Sequence, residues 1–388
     1  MQRFWTILEK LIRLFGLQNV VIIEAEKAAR ENTGAVFLEM LRRGWNKRYC
    51  IVLITQHPEA LVEWKQKHIK ILLRPEASEG GLKRLRYRWY RLRAAMIVDE
   101  NFQVQKSVDS TVHIYLTHGS PIKSLRNYYN VDRDTDYMLN QAEFWNPVNA
   151  YEFRIDEKKL VTLGYPRNDA LFSHPVDMSS LFERKYQKVI TWYPTYRQHQ
   201  SSKSGQVYEG RTTIPLIQNP AFAKKLNEIA AKYDVLLVIK PHPAQDVSKI
   251  REMQLSHLRY INDAFFIDHN TSTYHFLAGT DALITDYSSV LFDYLLTDKP
   301  IGLAFEDFET YKEQVGFAID MDIVRACGPE LNTVEDFEAF FRDLSAGSDP
   351  YRESREKIKH LTNQYTDGNS AKRVVDWLET LLPHGTGK

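Results

Sequence analysis

The sequence predicts an α/β protein made of two Rossmann-like domains that face a central cleft. Three observations favour this fold class. Short apolar runs alternate with helical stretches along the chain, which is typical of parallel sheets built from βαβ units. The 388 residues are more than one hydrophobic core usually serves. A polar turn cluster at residues 173–187 interrupts the alternation and predicts a linker between two halves.

The first half begins with a predicted strand at residues 20–25 and a predicted helix over 33–44, which is expected to end at Gly44. Further apolar runs of strand length follow at residues 49–55, 69–73, 94–99, 111–117 and 159–166. The spacing between these runs predicts a mainly parallel sheet whose strands are joined by helices and loops.

The second half repeats the alternation. One helix is predicted over 219–233, and another begins at Ser288. The strands predicted in this half are residues 188–194, 234–243, 259–265, 281–286 and 300–305. The expected domains are therefore 17–175 and 186–388, with residues 1–16 forming a separate helix.

The composition excludes several classes of protein. Hydrophobic residues make up 43% of the chain, which indicates a globular protein, and a net charge of +1 provides no overall field for nucleic acid. Cys50 and Cys327 fit neither a disulfide framework nor a metal site, so a reducing cytosol is expected. His269 and His275 lack zinc-ligand spacing. No apolar run approaches the roughly 20 residues that span a bilayer.

Two segments have the pattern of membrane-surface contacts. Residues 1–16 place apolar side chains on one helical face with basic residues around it, as in helices that lie in a membrane interface. The alternative is a terminal helix that packs on the protein's own core. Residues 82–94 combine six basic residues with three aromatic ones, which suits anionic headgroups, although a solvated basic helix is the favoured interpretation. No recognised motif supports nucleic-acid binding there.

The first candidate site follows the predicted strand at 111–117. His118 lies at its carboxyl end, where α/β sheets form their ligand sites, and Gly119 allows the backbone to approach a ligand closely. An imidazole titrates near neutral pH and can remove a proton from a hydroxyl. Ser120 and Lys123 continue the same motif and are predicted to contact the substrate. A histidine hydrogen-bonded in a turn is the alternative interpretation.

Two further strand ends carry cations. Lys240 and His242 follow an apolar strand and could form charge-assisted hydrogen bonds with phosphate oxygens, although a strand-end turn with a solvated lysine is equally compatible. Thr195 and Arg197 follow another predicted strand, and arginine suits bidentate phosphate recognition, although most single arginines are structural or solvated.

A further candidate site lies between the strand at 281–286 and the following helix. Ser288 or Ser289 is a natural helix cap, and helix N-termini bind anions. Capping needs only one hydroxyl, so the second is available for a ligand. Asp286 is expected to shape the site, through a hydrogen bond to a neighbouring hydroxyl or histidine or by contacting a substrate hydroxyl, rather than to contact phosphate.

Taken in order, these motifs resemble the CDP-glycerol glycerophosphotransferase family of the teichoic acid primase and polymerase type. The matching stretches are residues 118–123, 164–172, 192–197, 240–243, 285–301 and 367–378. Three positions depart from the pattern: Thr117 stands where the family often has tryptophan, Ser120 where it often has threonine, and Val315 where it has arginine.

The resemblance implies a GT-B-like fold that binds the donor nucleotide mainly in the C-terminal domain. It implies transfer of glycerol phosphate from CDP-glycerol to a hydroxyl of an undecaprenyl-diphosphate-linked disaccharide, with release of CMP, as the priming step of wall teichoic acid synthesis. His118 and His242 correspond to the family's catalytic histidines, and Ser288 and Ser289 to its donor-phosphate serines. A peripheral location on the cytoplasmic face of the bacterial membrane follows. No cofactor is firmly implied, and Mg²⁺ stays open.

Several alternatives remain at this point. Within the family, the chain could be a polyglycerol-phosphate or ribitol-phosphate polymerase. On a similar fold, it could be a nucleotide-sugar glycosyltransferase or epimerase. A non-enzymatic, membrane-peripheral nucleotide-binding module is the remaining possibility.

Overall fold

Two parallel sheets, one from each half of the chain, form the framework of the computed structural model. The structure describes residues 11, 18–25, 31–65, 68–74, 81–101, 104–173, 175–182, 184–197, 214, 216–242 and 252–382. The predicted helix at residues 1–16 lies outside the described residues, apart from the helical Leu11.

The first sheet has seven strands in the order β3-β2-β1-β4-β5-β6-β7, and all neighbouring pairs are parallel. Their bounds are β1 Val20–Glu24, β2 Cys50–Thr55, β3 Ile69–Leu73, β4 Ala94–Asp99, β5 Val112–Tyr115, β6 Tyr137–Asn140 and β7 Leu160–Thr162. The sequence predicted six of these strands. It missed β6, in which the short apolar stretch at residues 137–139 stands between the polar residues Asp136 and Asn140.

The second sheet has five parallel strands in the order β10-β9-β8-β11-β12. Their bounds are β8 Lys188–Tyr193, β9 Val235–Ile239, β10 Leu258–Tyr260, β11 Ala282–Thr285 and β12 Ile301–Leu303. The strand predicted at 259–265 is wrong beyond Tyr260. The side chain of Asn262 accepts a hydrogen bond from the Phe265 amide and thereby caps a helix that begins at Asp263.

Helices cover the sheets and connect their strands. The described α-helices are α1 Asn32–Arg42, α2 Trp45–Arg48, α3 Leu82–Leu92, α4 Asn146–Phe153, α5 Met178–Leu181, α6 Pro220–Lys232, α7 Asp263–Asp268, α8 Thr273–Gly279, α9 Val290–Tyr294, α10 Phe308–Gln314, α11 Met321–Arg325, α12 Val334–Ala346, α13 Arg352–Thr362 and α14 Ser370–Leu381. Short 3₁₀ segments occur at Pro58–Trp64, Glu143–Trp145, Glu157–Lys159, Pro166–Phe172 and Leu295–Thr297.

The central strands are buried on both faces, as expected for parallel sheets between helical layers. In β1, Val21 and Ile23 belong to one hydrophobic cluster, whereas Val20 and Ile22 belong to another on the opposite face. The side chains of β9 are likewise distributed between two hydrophobic clusters on opposite faces. The two sheets and the cleft between them confirm the predicted α/β, GT-B-like fold class.

The C-terminal helix does not stay with the second domain. In α14, Val374, Val375 and Leu378 pack in the same cluster as Val36 and Phe37 of α1. Thus the predicted range 186–388 for the second domain does not describe one continuous unit. The apolar face of α14 completes the first core. The periodicity of the sequence indicates that α14 has an apolar face, but it does not indicate which domain that face packs against.

The basic stretch at 82–94 forms α3 and its continuation into β4. Its first turns project outward, with Leu82 84%, Leu85 55% and Trp89 39% exposed. In the part of the chain that the structure describes, none of the helices is long and apolar enough to cross a membrane.

Candidate active site

A cleft of about 490 Å³ lies between the two sheets, at the ends of their strands. In the second sheet, β8 separates β9 from β11, so the order reverses beside it. Such a reversal opens a crevice at the carboxyl ends of the strands. The cleft is lined by nine predicted site residues: His118, Gly119, Ser120, Lys123, Thr195, Lys240, His242, Ser288 and Ser289. Arg197 and Asp286, which were also predicted, lie beneath the surface.

The exposed side chain of His118 projects from a constrained loop after β5. The residue before it, Thr117, has a left-handed φ of 52°, which is uncommon for a β-branched residue. Asn32 Nδ2 donates to the Thr117 carbonyl at 2.9 Å, and Arg167 Nη1 donates to the His118 carbonyl at 2.8 Å. These two donors hold the carbonyls on either side of the unusual backbone turn.

Gly119 brings this loop against the second domain. It has a φ of 138°, and a Cβ at this position would lie 2.3 Å from Ser289 Oγ and 3.1 Å from Arg167 Nη2. Both the backbone conformation and the close approach therefore require glycine. The sequence predicted that Gly119 allows the backbone to approach a ligand closely, and in the structure the group it approaches is Ser289 of the opposite domain.

Ser120 and Lys123 occupy different environments. The buried hydroxyl of Ser120 lies 3.1 Å from Gln141 Oε1 and 3.1 Å from the Tyr165 hydroxyl, so it orders the loop from below. Lys123 is half-buried, and its backbone bridges to Phe317 of the second domain. Burial lowers the pKa of Lys123, while Asp286 acts in the opposite direction. The segment around Phe317 is the one in which the family pattern has arginine. Its main chain thus pairs with the main chain of the loop that carries Lys123.

Lys240 and His242 lie on the opposite wall, after β9. Lys240 is half-buried and its Nζ lies 2.9 Å from Asp263 Oδ1. The exposed imidazole of His242 stacks on Tyr196, with ring centroids 4.2 Å apart and an interplanar angle of 24°. This wall therefore presents a cation and an imidazole to the cleft.

The predicted phosphate contact of Arg197 needs correction. Its guanidinium is fully buried and lies between two carboxylates, with Nε 2.9 Å from Asp307 Oδ2 and Nη1 hydrogen-bonded to Asp286. Asp286 also accepts from the Thr195 amide at 2.8 Å and from the Thr195 hydroxyl. Arg197 thus pairs with both acids beneath the strand ends and offsets one of their two negative charges. Asp286 joins the ends of β8 and β11, as expected of a residue that shapes the site.

Ser288 and Ser289 lie at the start of α9 and are half-buried. The cap residue Ser289 has a helical φ of −58°, and its side chain makes no capping hydrogen bond. The sequence predicted that one of the two hydroxyls would cap the helix, and this part of the prediction is wrong for Ser289. The helix itself is short, five residues followed by a 3₁₀ turn. Both hydroxyls line the cleft instead.

Sequence reasoning missed a buried polar network that joins the domains under the cleft. Arg167 Nη2 lies 2.7 Å from Asp293 Oδ2, and Asn168 and Tyr274 donate to the same carboxylate at 2.9 and 2.7 Å. Burial opposes the charge on Arg167, but the attraction of Asp293 outweighs it and keeps the pKa of Arg167 above its ordinary value. Arg167 lies in one of the matching stretches, at 164–172, which was the available signal.

Two more cleft residues were not predicted. The buried hydroxyl of Tyr193 has no hydrogen-bond partner among the described residues, and burial, with Glu31 and Asp263 nearby, raises the pKa of Tyr193 well above its ordinary value. Glu31 lies at the start of α1 and lines the same cleft. Their hydroxyl and carboxylate add neutral and acidic groups to a surface otherwise rich in donors.

The arrangement suits the binding of an anion beside a hydroxyl that loses its proton. One wall offers Lys240, His242 and two serine hydroxyls, and the other offers the His118 imidazole. No group of three or more His, Cys, Asp or Glu side chains is arranged to hold a metal ion within the ranges that the structure describes.

Comparisons with known proteins agree with this geometry. The model of a family described as CDP-glycerol:poly(glycerophosphate) glycerophosphotransferase matches residues 13–380. A teichoic acid ribitol-phosphate primase of Bacillus spizizenii is 26% identical over 265 residues, which cover 66% of this chain and 62% of that protein. A teichoic acid glycerol-phosphate primase of Bacillus subtilis is 24% identical over 263 residues, which cover 66% and 61%. The chain thus spans about three fifths of the length of these relatives.

Solved structures of the wall teichoic acid polymerase TagF share the fold. A histidine-to-asparagine variant of TagF that was soaked with CDPG superposes with a TM-score of 0.70 at 17% identity, and the match covers 94% of this chain and 88% of that one. The family match extends over nearly the whole chain, including both walls of the cleft. The chain therefore belongs to the CDP-glycerol:poly(glycerophosphate) glycerophosphotransferase family.

Proposed function

We propose that this protein transfers glycerol phosphate from CDP-glycerol to a hydroxyl of a lipid-linked disaccharide and releases CMP, as a priming enzyme of wall teichoic acid synthesis. The observation that carries the proposal is the meeting of two walls in one cleft. His118 and Gly119 come from the first domain, and Ser288, Ser289 and His242 come from the second. Phosphoryl transfer depends mainly on such alignment and on neutralising phosphoryl charge.

In the proposed reaction, the acceptor hydroxyl attacks the β-phosphorus of CDP-glycerol. The new bond joins the acceptor oxygen to that phosphorus, and the bond from the phosphorus to the oxygen of CMP breaks. His118 takes the proton of the attacking hydroxyl. Its place on the wall opposite the proposed donor contacts supports this role, because a base must face the nucleophile rather than the leaving group.

The second wall binds the diphosphate of the donor. Lys240 and His242 supply charge-assisted hydrogen bonds, and Ser288 and Ser289 supply hydroxyls. Arg197 contributes only indirectly, because it offsets one of the two negative charges of Asp286 and Asp307 beneath this wall. Without that guanidinium, two buried carboxylates would lie under a site for an anion, which would oppose donor binding.

The decisive experiment incubates the full chain with CDP-glycerol and a synthetic disaccharide–diphosphate lipid, and measures CMP release and product mass. We expect CMP release that depends on acceptor, with the lipid gaining one glycerol phosphate unit. A ladder of products would favour a polymerase instead. Binding of CDP-glycerol without CMP release would support a non-catalytic module, and transfer from a UDP-sugar would support a glycosyltransferase.

The donor polyol requires its own comparison, since one of the relatives is a ribitol-phosphate primase and another a glycerol-phosphate primase. CDP-ribitol is therefore tested beside CDP-glycerol at equal concentration. A higher kcat/KM for CDP-glycerol supports the proposed donor, and the reverse order assigns ribitol.

A lipid-linked acceptor implies that the protein works at the membrane surface, on its cytoplasmic face. The exposed row of Leu82, Leu85 and Trp89 on α3, among basic residues, supports peripheral contact with anionic headgroups. Deletion of residues 1–16, and separately serine substitution of this row, should each lower co-sedimentation with anionic liposomes. The matched variant Ile267→Ser, which removes a similarly exposed side chain from the second domain, should not. Unchanged sedimentation of both variants would contradict the membrane proposal.

A further inference from the structure

The loop that carries His118 depends on support from outside itself. Thr117 has a φ of 52° and Gly119 a φ of 138°, so residues on both sides of the histidine leave the usual backbone regions. Backbone conformations of this kind persist only where the surroundings fix them. Within the loop itself, the hydrogen bond from the Gly119 amide to Thr117 Oγ1 is long, at 3.3 Å.

Two side chains of the first domain supply that support. Asn32 Nδ2 donates to the Thr117 carbonyl, and Arg167 Nη1 donates to the His118 carbonyl. The two supports are themselves joined, because the Arg167 amide donates to Asn32 Oδ1 at 3.1 Å. Arg167 therefore acts on the main chain of the histidine and does not need to contact the imidazole.

The guanidinium of Arg167 has partners in both domains, because Glu31 of the first domain lies 3.6 Å from its Nη1 and a closer carboxylate comes from the second domain. Its Nη2 lies 2.7 Å from Asp293 Oδ2, and both side chains are buried, at 4% and 1% exposure. Asp293 belongs to α9, the helix that begins just after Ser288 and Ser289. Asn168 and Tyr274 also donate to this carboxylate, so its orientation is fixed from several sides. One guanidinium thus connects the loop of the proposed base to the helix of the proposed donor site.

We infer that the Arg167–Asp293 pair is a positioning element that aligns the His118 loop with the donor wall, so that the two domains must be docked before the base is in place. This inference rests on the proposed function for its catalytic meaning. The coupling itself is a property of the fold and can be measured without turnover. Arg167 is the positioning residue, and Asp293 is its anchor in the opposite domain.

The conservative variant Arg167→Lys keeps the charge but replaces the planar fork, in which Nη1 reaches the His118 carbonyl and Nη2 reaches Asp293, by a single nitrogen. We expect kcat to fall roughly 10- to 100-fold, because small misplacements of a reacting group are costly. The KM for CDP-glycerol should change less than about threefold, since the donor contacts are retained. In a His118→Ala background the same substitution should lower kcat less than about threefold, because the group it positions is already absent.

Hydrogen exchange provides the measurement that does not depend on activity. We expect the amides of residues 117–120 to exchange faster in Arg167→Lys and also in Asp293→Asn, which acts from the other domain. The matched control is Arg355→Lys, since Arg355 is another buried arginine paired with an aspartate, at 2.9 Å from Asp349 Oδ1, and it does not line the cleft. The Arg355→Lys substitution should lower thermal stability and leave the amide exchange rates of residues 117–120 unchanged.

Three outcomes would overturn the inference. The first is unchanged exchange of residues 117–120 in Arg167→Lys, and the second is unchanged exchange in Asp293→Asn. The third is a full, multiplicative loss of kcat when Arg167→Lys is combined with His118→Ala. If the unmodified protein releases no CMP with any donor, the proposed function fails, while the exchange data still decide whether the two domains are coupled through this pair.

Discussion

The two histidines of the cleft are presented in different ways. His118 projects from a loop with left-handed backbone, whose carbonyls are held by Asn32 and Arg167. His242 is exposed, and the ring contact resolved for it is a stacking interaction with Tyr196. In the first arrangement the backbone that carries the imidazole is fixed, whereas in the second the imidazole itself packs face to face on an aromatic ring.

This difference matches two kinds of chemical work. A general base acts only when its nitrogen lies within hydrogen-bond reach of the attacking hydroxyl, so a constrained loop is useful. A phosphate ligand acts through charge and hydrogen bonding over a broader range of positions. This contrast supports the proposed division of work, with His118 as the base and His242 as a donor contact. The sequence had already suggested a phosphate contact for His242, and only the family resemblance grouped both histidines as catalytic.

The largest expected effect tests the fixed histidine. The substitution His118→Ala should lower kcat by about 10²- to 10⁴-fold, the usual contribution of general-base assistance, with little change in the KM for CDP-glycerol. Steady-state CMP release measures both constants. The surface variant His360→Ala, which removes an exposed histidine from α13, is the control. A normal rate in a folded His118→Ala protein would exclude the assignment.

His242 should behave differently. His242→Ala removes one contact to the donor phosphate, worth about 1.5–3 kcal/mol when charged, so the KM for CDP-glycerol should rise roughly 10- to 100-fold. A fall in kcat as large as that of His118→Ala, without a rise in KM, would remove the distinction between the two histidines. The same assay series provides the answer.

The paired serines should contribute less than a charged group. Replacing Ser288 and Ser289 together by alanine should weaken CDP-glycerol binding about tenfold in calorimetry, because two neutral hydrogen bonds are lost. The control replaces Ser179 and Ser180, two exposed serines of α5 that do not line the cleft. Equal affinities of the two double variants would show that the serine wall does not bind the donor.

The last prediction concerns pH and contrasts the acids of the two domains. Beneath the second-domain strand ends, Arg197 offsets part of the charge of Asp286 and Asp307. In the first domain, the fully buried Glu24 at the end of β1 keeps its proton at mildly acidic pH instead, because burial, together with repulsion from Asp99, raises the pKa of Glu24 from 4.5 to about 7.

The direction of the pH dependence of stability follows from proton binding. Between pH 4.5 and about 7 the folded state keeps the Glu24 proton while the unfolded state releases it, so the free energy of unfolding falls as pH rises through this window. The full loss is about 3 kcal/mol at most. Urea unfolding at both ends of the window should show a smaller fall for Glu24→Gln than for the unmodified protein. If the free energy of unfolding falls equally with pH in Glu24→Gln and in the unmodified protein, this account is refuted.

The sequence was most informative where one residue type had a clear local signal. The buried parallel strands were visible as continuous apolar runs, and the polar residues that follow those strands pointed to the cleft. The interdomain polar network was not visible in this way. Arg167 and its partner Asp293 are 126 positions apart, and Arg167 lies in a 3₁₀ segment without periodic pattern.

The two arginines illustrate the remaining difficulty. Arg197 has the better local context for phosphate binding, directly after a strand, yet its charge is taken by acids 89 and 110 positions later in the chain. Arg167 has no such context but lines the cleft. Whether an arginine faces a ligand depends on which carboxylates the fold brings to it, and that is a property of tertiary structure.

The return of α14 to the first domain has a consequence for how the chain folds during synthesis. The core around Val36 and Phe37 is closed by Val374, Val375 and Leu378, so the domain made first cannot be completed until α14 has left the ribosome. The second domain, whose sheet ends at Leu303, can form its strands earlier. The order of completion is therefore opposite to the order of translation, and shortening the chain at its C-terminal end would damage the domain that carries His118.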